Sequence, residues 1–135
     1  MPPKPPRPIL VACILERHDN DLLIALPKSD KADARRWLFP RGLAQDGETP
    51  EAGMRRVCQE SLGVAVEIVV GQPPLLCEVN GLEHEIRFFF CGIITGSVQS
   101  DRFRETRWVS RMHLSEYEFD APSAPVVAWL VEKPT

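Results

Sequence analysis

A helix with clear signals at both ends lies in the middle of the chain and constrains the fold more than any other feature. Thr49 supplies an N-cap hydroxyl, and Pro50 suits the first helical position because its missing N–H needs no partner there. Glu51 suits the positive end of the helix dipole. Gly63 can adopt the left-handed conformation that ends a helix. The sequence therefore predicts a helix over residues 50–62.

Strand-like segments flank this helix on both sides. Before it, apolar runs separated by a polar turn at residues 18–21 indicate a hairpin, and after it Asn80-Gly81 is a strong hairpin turn. The segments predicted to be strands cover residues 9–15, 22–26, 37–42, 64–70, 75–79, 83–90 and 105–109. Strands interleaved with well-spaced helices favour an α/β fold with a mixed β-sheet covered on both faces.

The two ends of the chain differ in character. Five of the 13 prolines lie in the first eight residues, which predicts a flexible, extended leader over residues 1–8 and one domain over residues 9–135. Near the C-terminus, a short helical turn is predicted over residues 114–119. A closing helix is predicted over residues 123–132, with Ser123 as its N-cap.

The strand predicted over residues 83–90 assigns side chains to two faces of the sheet. Alternation with a period of two places His84, Ile86, Phe88 and Phe90 on one face, and Glu83, Glu85, Arg87 and Phe89 on the other. The first face is mostly apolar, so we expect it in the core. The second face is expected to meet solvent or a functional site.

The composition narrows the possible partners and the compartment. A net charge of −3 argues against a surface that coats nucleic acid and leaves small anionic ligands or protein partners open. No stretch approaches the roughly 20 apolar residues that span a bilayer, and the N-terminus lacks the apolar core of a signal peptide. The four cysteines form no C-x-x-C pair, which fits a reducing interior. We expect a soluble cytoplasmic protein with no membrane partner.

Residues 42–64 contain a set of glycine, acidic, basic and apolar residues at fixed spacing. The set is Gly42, Glu48, Arg56, Cys58, Glu60, Gly63 and Val64. The segment resembles the Nudix box, G-x5-E-x7-R-E-U-x-E-E-x-G-U with U an apolar residue, and it keeps the register without an insertion. The run from Trp37 to the first glycine and the later Glu105-x-x-Trp108 are also similar to this family, so the resemblance covers nearly the whole chain.

This resemblance implies a Nudix-type α/β/α sandwich and metal-dependent cleavage of a nucleoside diphosphate linked to another group. A diphosphate is polyanionic, and divalent cations would neutralise its oxygens and lower the pKa of an attacking water. The expected cofactor is Mg²⁺ or Mn²⁺, and the expected substrate is a small anionic nucleotide. The resemblance also leaves a homodimer open.

Three helix positions carry the carboxylates of the box, on the face shared by residues i, i+3 and i+4. Here they are Val57, Glu60 and Ser61, so one carboxylate of three is present. At about 4 Å and an effective dielectric of about 20, each missing charge forfeits a gross attraction of about 4 kcal/mol per unit of cation charge. The sequence therefore predicts a degenerate site with weak metal binding by this helix.

Other residues could complete the site. The catalytic candidates are Glu60, Arg56 and Glu48, and the metal-ligand candidates are Glu60, the carbonyl of Gly42, and Glu85 on the polar strand face, with Glu83 as a further substitute. Each has a structural alternative. Glu48 and Glu60 can both pair with Arg56, which lies four positions before Glu60. Glu85 can form a surface ion pair with Arg87.

The substrate-binding candidates are Arg41, Trp37 and Arg87. A guanidinium group matches phosphate oxygens bidentately, and an aromatic ring can stack on a base. The alternatives are a solvated face for the arginines and a core anchor for Trp37.

Three functions remain open at this point. The first is metal-dependent cleavage with substitute ligands, and the second is a non-catalytic domain that binds a nucleotide, an RNA end or a protein in the same cleft. The third is an interaction module that docks through the proline-rich leader. Fold membership does not decide among them.

Overall fold

The computed structural model describes residues 7–17, 20–28 and 35–132. Within these ranges the strands are β1 (Ile9–Arg17), β2 (Asp21–Pro27), β3 (Arg41–Leu43), β4 (Ala65–Gly71), β5 (Leu75–Val79), β6 (Leu82–Thr95) and β7 (Phe103–Ser110). The helices are α1 (Pro50–Leu62), a 3₁₀ helix (Arg111–Glu116) and α2 (Ala124–Glu132). No helix of the described part is long and apolar enough to cross a membrane.

The strands form one mixed sheet in the order β4-β6-β1-β2-β7, with β3 beside β1 and β5 beside β6. β1 and β6 pair in parallel, whereas the other strand pairs are antiparallel. The helices cover both faces of this sheet, because α1 and α2 belong to different core clusters. The predicted mixed sheet is confirmed.

Each face of the sheet carries its own apolar core. On one face, Met54, Val57 and Leu62 of α1 pack against inward side chains of β1, β4 and β6, and we call this the α1 face. On the opposite face, Leu114 of the 3₁₀ helix and Leu130 of α2 pack against side chains of β1, β2 and β6, and we call this the α2 face. The fold is the α/β/α sandwich that the resemblance implies.

The ends of α1 match the prediction. Thr49 caps the helix through Oγ1, which accepts a hydrogen bond from the Ala52 N–H at 3.1 Å. Gly63 ends the helix with a φ of 71°, a left-handed conformation that costs a glycine little. Because both signals are local, the sequence alone set the bounds of this helix.

β6 confirms the predicted alternation and is longer than predicted. Ile86 and Phe88 lie in the α2-face core, as predicted. Phe89 is predicted on the face that meets solvent or a site, but it is buried in the α1-face core because α1 covers that part of the sheet. The strand extends to Thr95 because its first half pairs with β5 and its second half with β4. The Asn80-Gly81 turn before it has positive φ at both residues, as a two-residue hairpin requires.

The C-terminal helical segments differ from the prediction. The turn predicted over residues 114–119 is the 3₁₀ helix at Arg111–Glu116, and α2 begins at Ala124. Ser123 does precede α2, but its hydroxyl has no hydrogen-bond partner among the described residues, so the predicted side-chain cap is wrong. Its backbone N–H is instead bound by Asp120.

The start of the domain is tied to β6. The carbonyl of Pro8 accepts a hydrogen bond from the Glu85 N–H at 2.9 Å, and Arg7 forms an ion pair with Glu83. The remainder of the predicted leader, residues 1–6, lies outside the described residues.

Candidate functional site

Gly42 and Val57 are in direct contact where β3 meets α1. Gly42 lies opposite Val11 in the sheet, and a Cβ built at position 42 would stand 2.8 Å from Cγ2 of Val57. Val57 is 3% exposed. A valine side chain thus fills the space against β3 at a helix position where the box has a carboxylate. It contributes apolar burial and no metal ligand.

The other two box positions on this helix also differ from a three-carboxylate set. Ser61 is buried and neutral, so it brings no charge. Glu60 is the remaining carboxylate, with its side chain 45% exposed and its Oε2 2.9 Å from Nη1 of Arg56. The salt-bridge role considered for Glu60 is therefore present in the structure.

Arg56 connects the helix to the loop that precedes it. Its Nε donates to Oε2 of Glu48 at 2.9 Å, and its Nη2 donates to the carbonyl of Leu43 at 2.7 Å. Oε1 of Glu48 accepts the Gln45 N–H at 2.9 Å. The bond from Arg56, with the Gln45 N–H, lowers the pKa of Glu48, and Glu48 in turn raises the pKa of Arg56. The network holds residues 43–48 against α1.

Glu85 and Arg87 lie on the α1 face of β6, where they form an ion pair at 2.8 Å. Arg87 is in register with Val11, which is in register with Gly42, so Arg87 lies across β1 from the Val57 contact. Both side chains of the ion pair are partly exposed. The predicted second face of β6 therefore carries charged side chains on the same side of the sheet as helix α1.

Arg41 and Trp37 lie on the opposite side of the sheet from that site. Arg41 pairs with Asp120 through Nη2 at 2.8 Å, and both side chains are largely buried. Trp37 is 8% exposed and packs in the α2-face core, edge-on to Tyr117. Of the three predicted substrate-binding residues, only Arg87 shares the α1 face with Glu60.

Comparison with known proteins decides the family. The family description "NUDIX domain" matches residues 6–130 of the chain. The chain belongs to the Nudix family.

Solved structures show the same fold at low sequence identity. The E. coli ORF135 protein is 23% identical with a TM-score of 0.72. The match covers 90% of this chain and 86% of the chain of ORF135. A structure from a study of MutT from Aliivibrio salmonicida and Vibrio cholerae is 22% identical with a TM-score of 0.73. This match covers 95% of our chain and 98% of the other chain. The MutT protein from Methanosarcina mazei Go1 is 16% identical with a TM-score of 0.78, and the match covers 95% of our chain and 97% of the MutT chain. A search of curated protein sequences found no match.

The donor set of this Nudix site does not fit a divalent cation held by the helix. Among residues 7–17, 20–28 and 35–132, no group of three or more His, Cys, Asp or Glu side chains could hold a metal ion. Glu60 is bound to Arg56, and Glu85 is bound to Arg87. Beside Gly42, the helix presents the apolar side chain of Val57. A hard cation prefers several oxygen ligands, and this face offers them too sparsely.

Asp120 is a partner of the candidate residue Arg41 that the sequence did not indicate. Asp120 is far from Arg41 in the chain and no local motif relates the two residues. The two side chains meet only in the folded chain, where β3 and the segment before α2 lie together on the α2 face.

Proposed function

We propose that this Nudix chain binds a nucleoside diphosphate linked to another group and that its metal-dependent cleavage of that ligand is strongly impaired. The observation that carries the proposal is the packing of Val57 against Gly42, with 2.8 Å between Cγ2 and a Cβ built at position 42. This packing replaces a metal-binding carboxylate by apolar contact. The family fold supports nucleotide binding, and the helix chemistry argues against rapid turnover.

Arg87 is the residue on the α1 face that supports phosphate binding best. Its side chain is 36% exposed, and the described pair with Glu85 uses Nε. The two terminal nitrogens of a guanidinium group can then meet phosphate oxygens. Arg56 is less suitable because Glu48, Glu60 and a backbone carbonyl already engage its nitrogens.

The charge of the helix explains why cleavage would be slow. The box positions 57, 60 and 61 carry one formal negative charge, that of Glu60. A carboxylate at position 57 and another at position 61 would each add a gross attraction of about 4 kcal/mol per unit of cation charge at about 4 Å. Every 1.4 kcal/mol of lost transition-state stabilisation costs about a factor of ten in rate. Loss of even a small part of the gross attraction is therefore enough to remove most turnover.

The test measures binding and turnover separately. Purified chain is titrated with a panel of nucleoside diphosphate derivatives by calorimetry, and release of nucleotide or phosphate is followed with Mg²⁺, with Mn²⁺ and without metal. We expect saturable binding that weakens in Arg87→Met, with turnover far slower than binding. Arg17→Met, which alters an exposed arginine paired with Asp21, is the control and should bind normally. Failure of every derivative to bind would refute the proposal.

A second candidate is slow metal-dependent hydrolysis in which the ligand's own phosphates bring the cation. Glu60 and Glu85 favour it, because both carboxylates are partly exposed and face the α1 side of the sheet. The variant Glu60→Gln would then abolish the metal-dependent release, whereas Glu51→Gln on the same helix would not. Equal rates in wild type, Glu60→Gln and the metal-free control would exclude this candidate.

A further inference from the structure

Three of the four cysteines lie together in the α1-face core. Cys13 belongs to β1, Cys58 to α1 and Cys91 to β6, and all three are free thiols. Their exposed fractions are 0%, 1% and 2%. The fourth, Cys77 of β5, packs against the core of the opposite, α2 face. One helix and two neighbouring strands thus each contribute one thiol to the same apolar core.

The side chains of these three cysteines contact one another. Cys13 makes side-chain hydrogen bonds with Cys58 and with Cys91, and Cys58 makes a further one with Cys91. The sheet register brings two of them to the same face. Cys13 is the partner of Phe89 across the β1–β6 pair, and Cys91 follows Phe89 by two residues, so its side chain points the same way. We call Cys13, Cys58 and Cys91 the thiol cluster.

The thiol cluster has no part in the function proposed above. Its sulfur atoms lie inside the α1-face core, whereas Glu60 and Arg87 are partly exposed. It is not a metal site either, because no group of three or more His, Cys, Asp or Glu side chains in the described ranges could hold a metal ion. The chemistry that adjacent thiols perform with each other is oxidation to a disulfide.

The sheet geometry decides which thiols can be joined. Neighbouring strands are about 4.8 Å apart and rise about 3.3 Å per residue, so Cα atoms offset by two residues across a strand pair are about 8 Å apart. Disulfides usually join Cα atoms about 4.4–6.8 Å apart. Cys13 and Cys91 have this offset and cannot be joined without distorting the sheet. Cys58 lies in the helix layer and contacts both, so a disulfide of the thiol cluster includes Cys58.

Cys91 is the sheet thiol better suited to react first. The hydrogen bonds that it accepts from Cys13 and Cys58 lower the pKa of Cys91, and the charge of Arg55 acts in the same direction. Hydrogen bonds with Cys58 and Cys91, together with burial, raise the pKa of Cys13. The thiolate is the nucleophilic form of cysteine. Cys91 is therefore expected to attack an oxidant, and Cys58 to complete the disulfide.

We propose that the thiol cluster is an oxidation site at which hydrogen peroxide joins Cys58 to Cys91 by a disulfide. The sulfur of Cys91 attacks one peroxide oxygen and breaks the O–O bond, which gives a sulfenic acid, and the released hydroxide takes up the Cys91 proton to become water. The sulfur of Cys58 then attacks the sulfur of Cys91, and the hydroxyl leaves as water with the Cys58 proton. Both sulfur atoms are oxidised, and both peroxide oxygens are reduced to water.

Helix α1 controls the access of peroxide and is then fastened by the product. The outward side chains of this helix, among them Arg55 and Gln59, are exposed, so one helix layer separates the thiol cluster from solvent. Local openings of native proteins let small reagents reach such buried groups. The disulfide links the box helix to β6 and restricts the unfolded chain, so it stabilises the fold and opposes further opening of α1.

The experiment treats the reduced, folded chain with hydrogen peroxide, blocks the remaining thiols by alkylation and maps the unreduced peptides by mass spectrometry. We expect a disulfide between Cys58 and Cys91 that dithiothreitol reverses, and an unfolding temperature raised by at least about 5 °C in the oxidised chain. Urea below the unfolding transition should speed the reaction severalfold, because it favours opening of α1.

Cysteine variants assign the roles within the cluster. Cys58→Ala should form no disulfide and should leave Cys91 as a sulfenic acid that dimedone traps. Cys91→Ala should slow disulfide formation at least tenfold, because the remaining sheet thiol ionises less readily. The matched control is Cys77→Ala, which removes the cysteine on the opposite face and should react as wild type does.

Each outcome has one meaning. Thiols that stay reduced in the folded chain would show that the three cysteines only fill the core, and would overturn the inference. Disulfides spread over all four cysteines, or bonds between chains through Cys77, would also overturn it, because they would report oxidation of unfolded chain. A disulfide between Cys13 and Cys91 would contradict the sheet geometry. If Cys58→Ala or Cys91→Ala fails to fold, the peptide maps of wild type and Cys77→Ala decide the matter.

Discussion

Restoring two carboxylates to α1 should create a metal site and destabilise the metal-free chain. The double variant Val57→Glu with Ser61→Glu raises the formal charge of the helix site from one negative unit to three. Two added charges facing a divalent cation give a gross attraction of about 16 kcal/mol at about 4 Å and an effective dielectric of about 20. Dehydration of the cation and repulsion between carboxylates cancel most of it. If about a tenth remains, Mg²⁺ binds at least tenfold more tightly.

The same substitution has a cost that the structure also defines. Val57 is 3% exposed and packs in the α1-face core, so its loss removes about 1.5–3 kcal/mol of burial, and a carboxylate placed there is partly desolvated. Without metal, the double variant should therefore unfold at a lower temperature than wild type. Added Mg²⁺ should recover part of that loss, because a ligand that binds only the folded chain stabilises it.

Calorimetric titration with Mg²⁺ and thermal unfolding across a range of Mg²⁺ concentrations are the assays. The control is Val57→Gln with Ser61→Gln, which has the same shape and no added charge. We expect tighter Mg²⁺ binding and a metal-dependent rise in the unfolding temperature for the Glu variant alone. Equal Mg²⁺ affinity in the Glu and Gln variants would refute the electrostatic account of the degenerate site.

Three further predictions concern stability. Gly42→Ala should destabilise the chain by about 1–3 kcal/mol in urea unfolding, because its Cβ meets Val57 at 2.8 Å; unchanged stability, or no relief on adding Val57→Ala, would contradict the contact. The pKa of Glu48 is lower in the folded chain than in the unfolded chain because of Arg56, so the pair stabilises the fold above the unfolded-state pKa and is lost as the pH falls through the folded-state value. Urea unfolding between pH 7 and pH 3 should show a shallower acid loss for Glu48→Gln, and identical profiles would show that the pair contributes nothing. Thr49→Ala should cost about 1 kcal/mol in the same assay, with Thr49→Ser nearly neutral, and an equal loss in both would argue against the cap.

Local signals in the sequence predicted most of the fold. Thr49, Gly63 and the Asn80-Gly81 turn act within a few residues of themselves, so their effects could be inferred without the rest of the chain. The length of β6 could not, because it depends on pairing with two strands that are distant in sequence. The cap at Ser123 is predicted from its position before the helix alone. Its hydroxyl makes no hydrogen bond among the described residues, whereas Asp120, three residues earlier, accepts a hydrogen bond from the Ser123 N–H.

Some features of the candidate site could likewise be predicted from the sequence, and others depend on the folded structure. The loss of carboxylates at Val57 and Ser61 and the pairing of Glu48 with Arg56 could be predicted from box spacing, and the structure contains that pair. The sequence could not assign Arg41 to the opposite face from Glu60, because that depends on the register of β3 against β1. The contact between Arg41 and Asp120 requires the whole sandwich to form.

The Arg56 network gives the box a role that does not involve catalysis. One guanidinium group binds Glu48, Glu60 and the Leu43 carbonyl, and so fastens the loop after β3 to the helix. None of these hydrogen bonds uses the side chain at position 57. The spacing of the motif is thus needed for Arg56 to reach both the loop after β3 and Glu60 on the helix. Metal binding depends on the side chains at positions 57, 60 and 61. This chain therefore keeps the spacing of the Nudix box and the contacts of Arg56 although positions 57 and 61 carry no carboxylate.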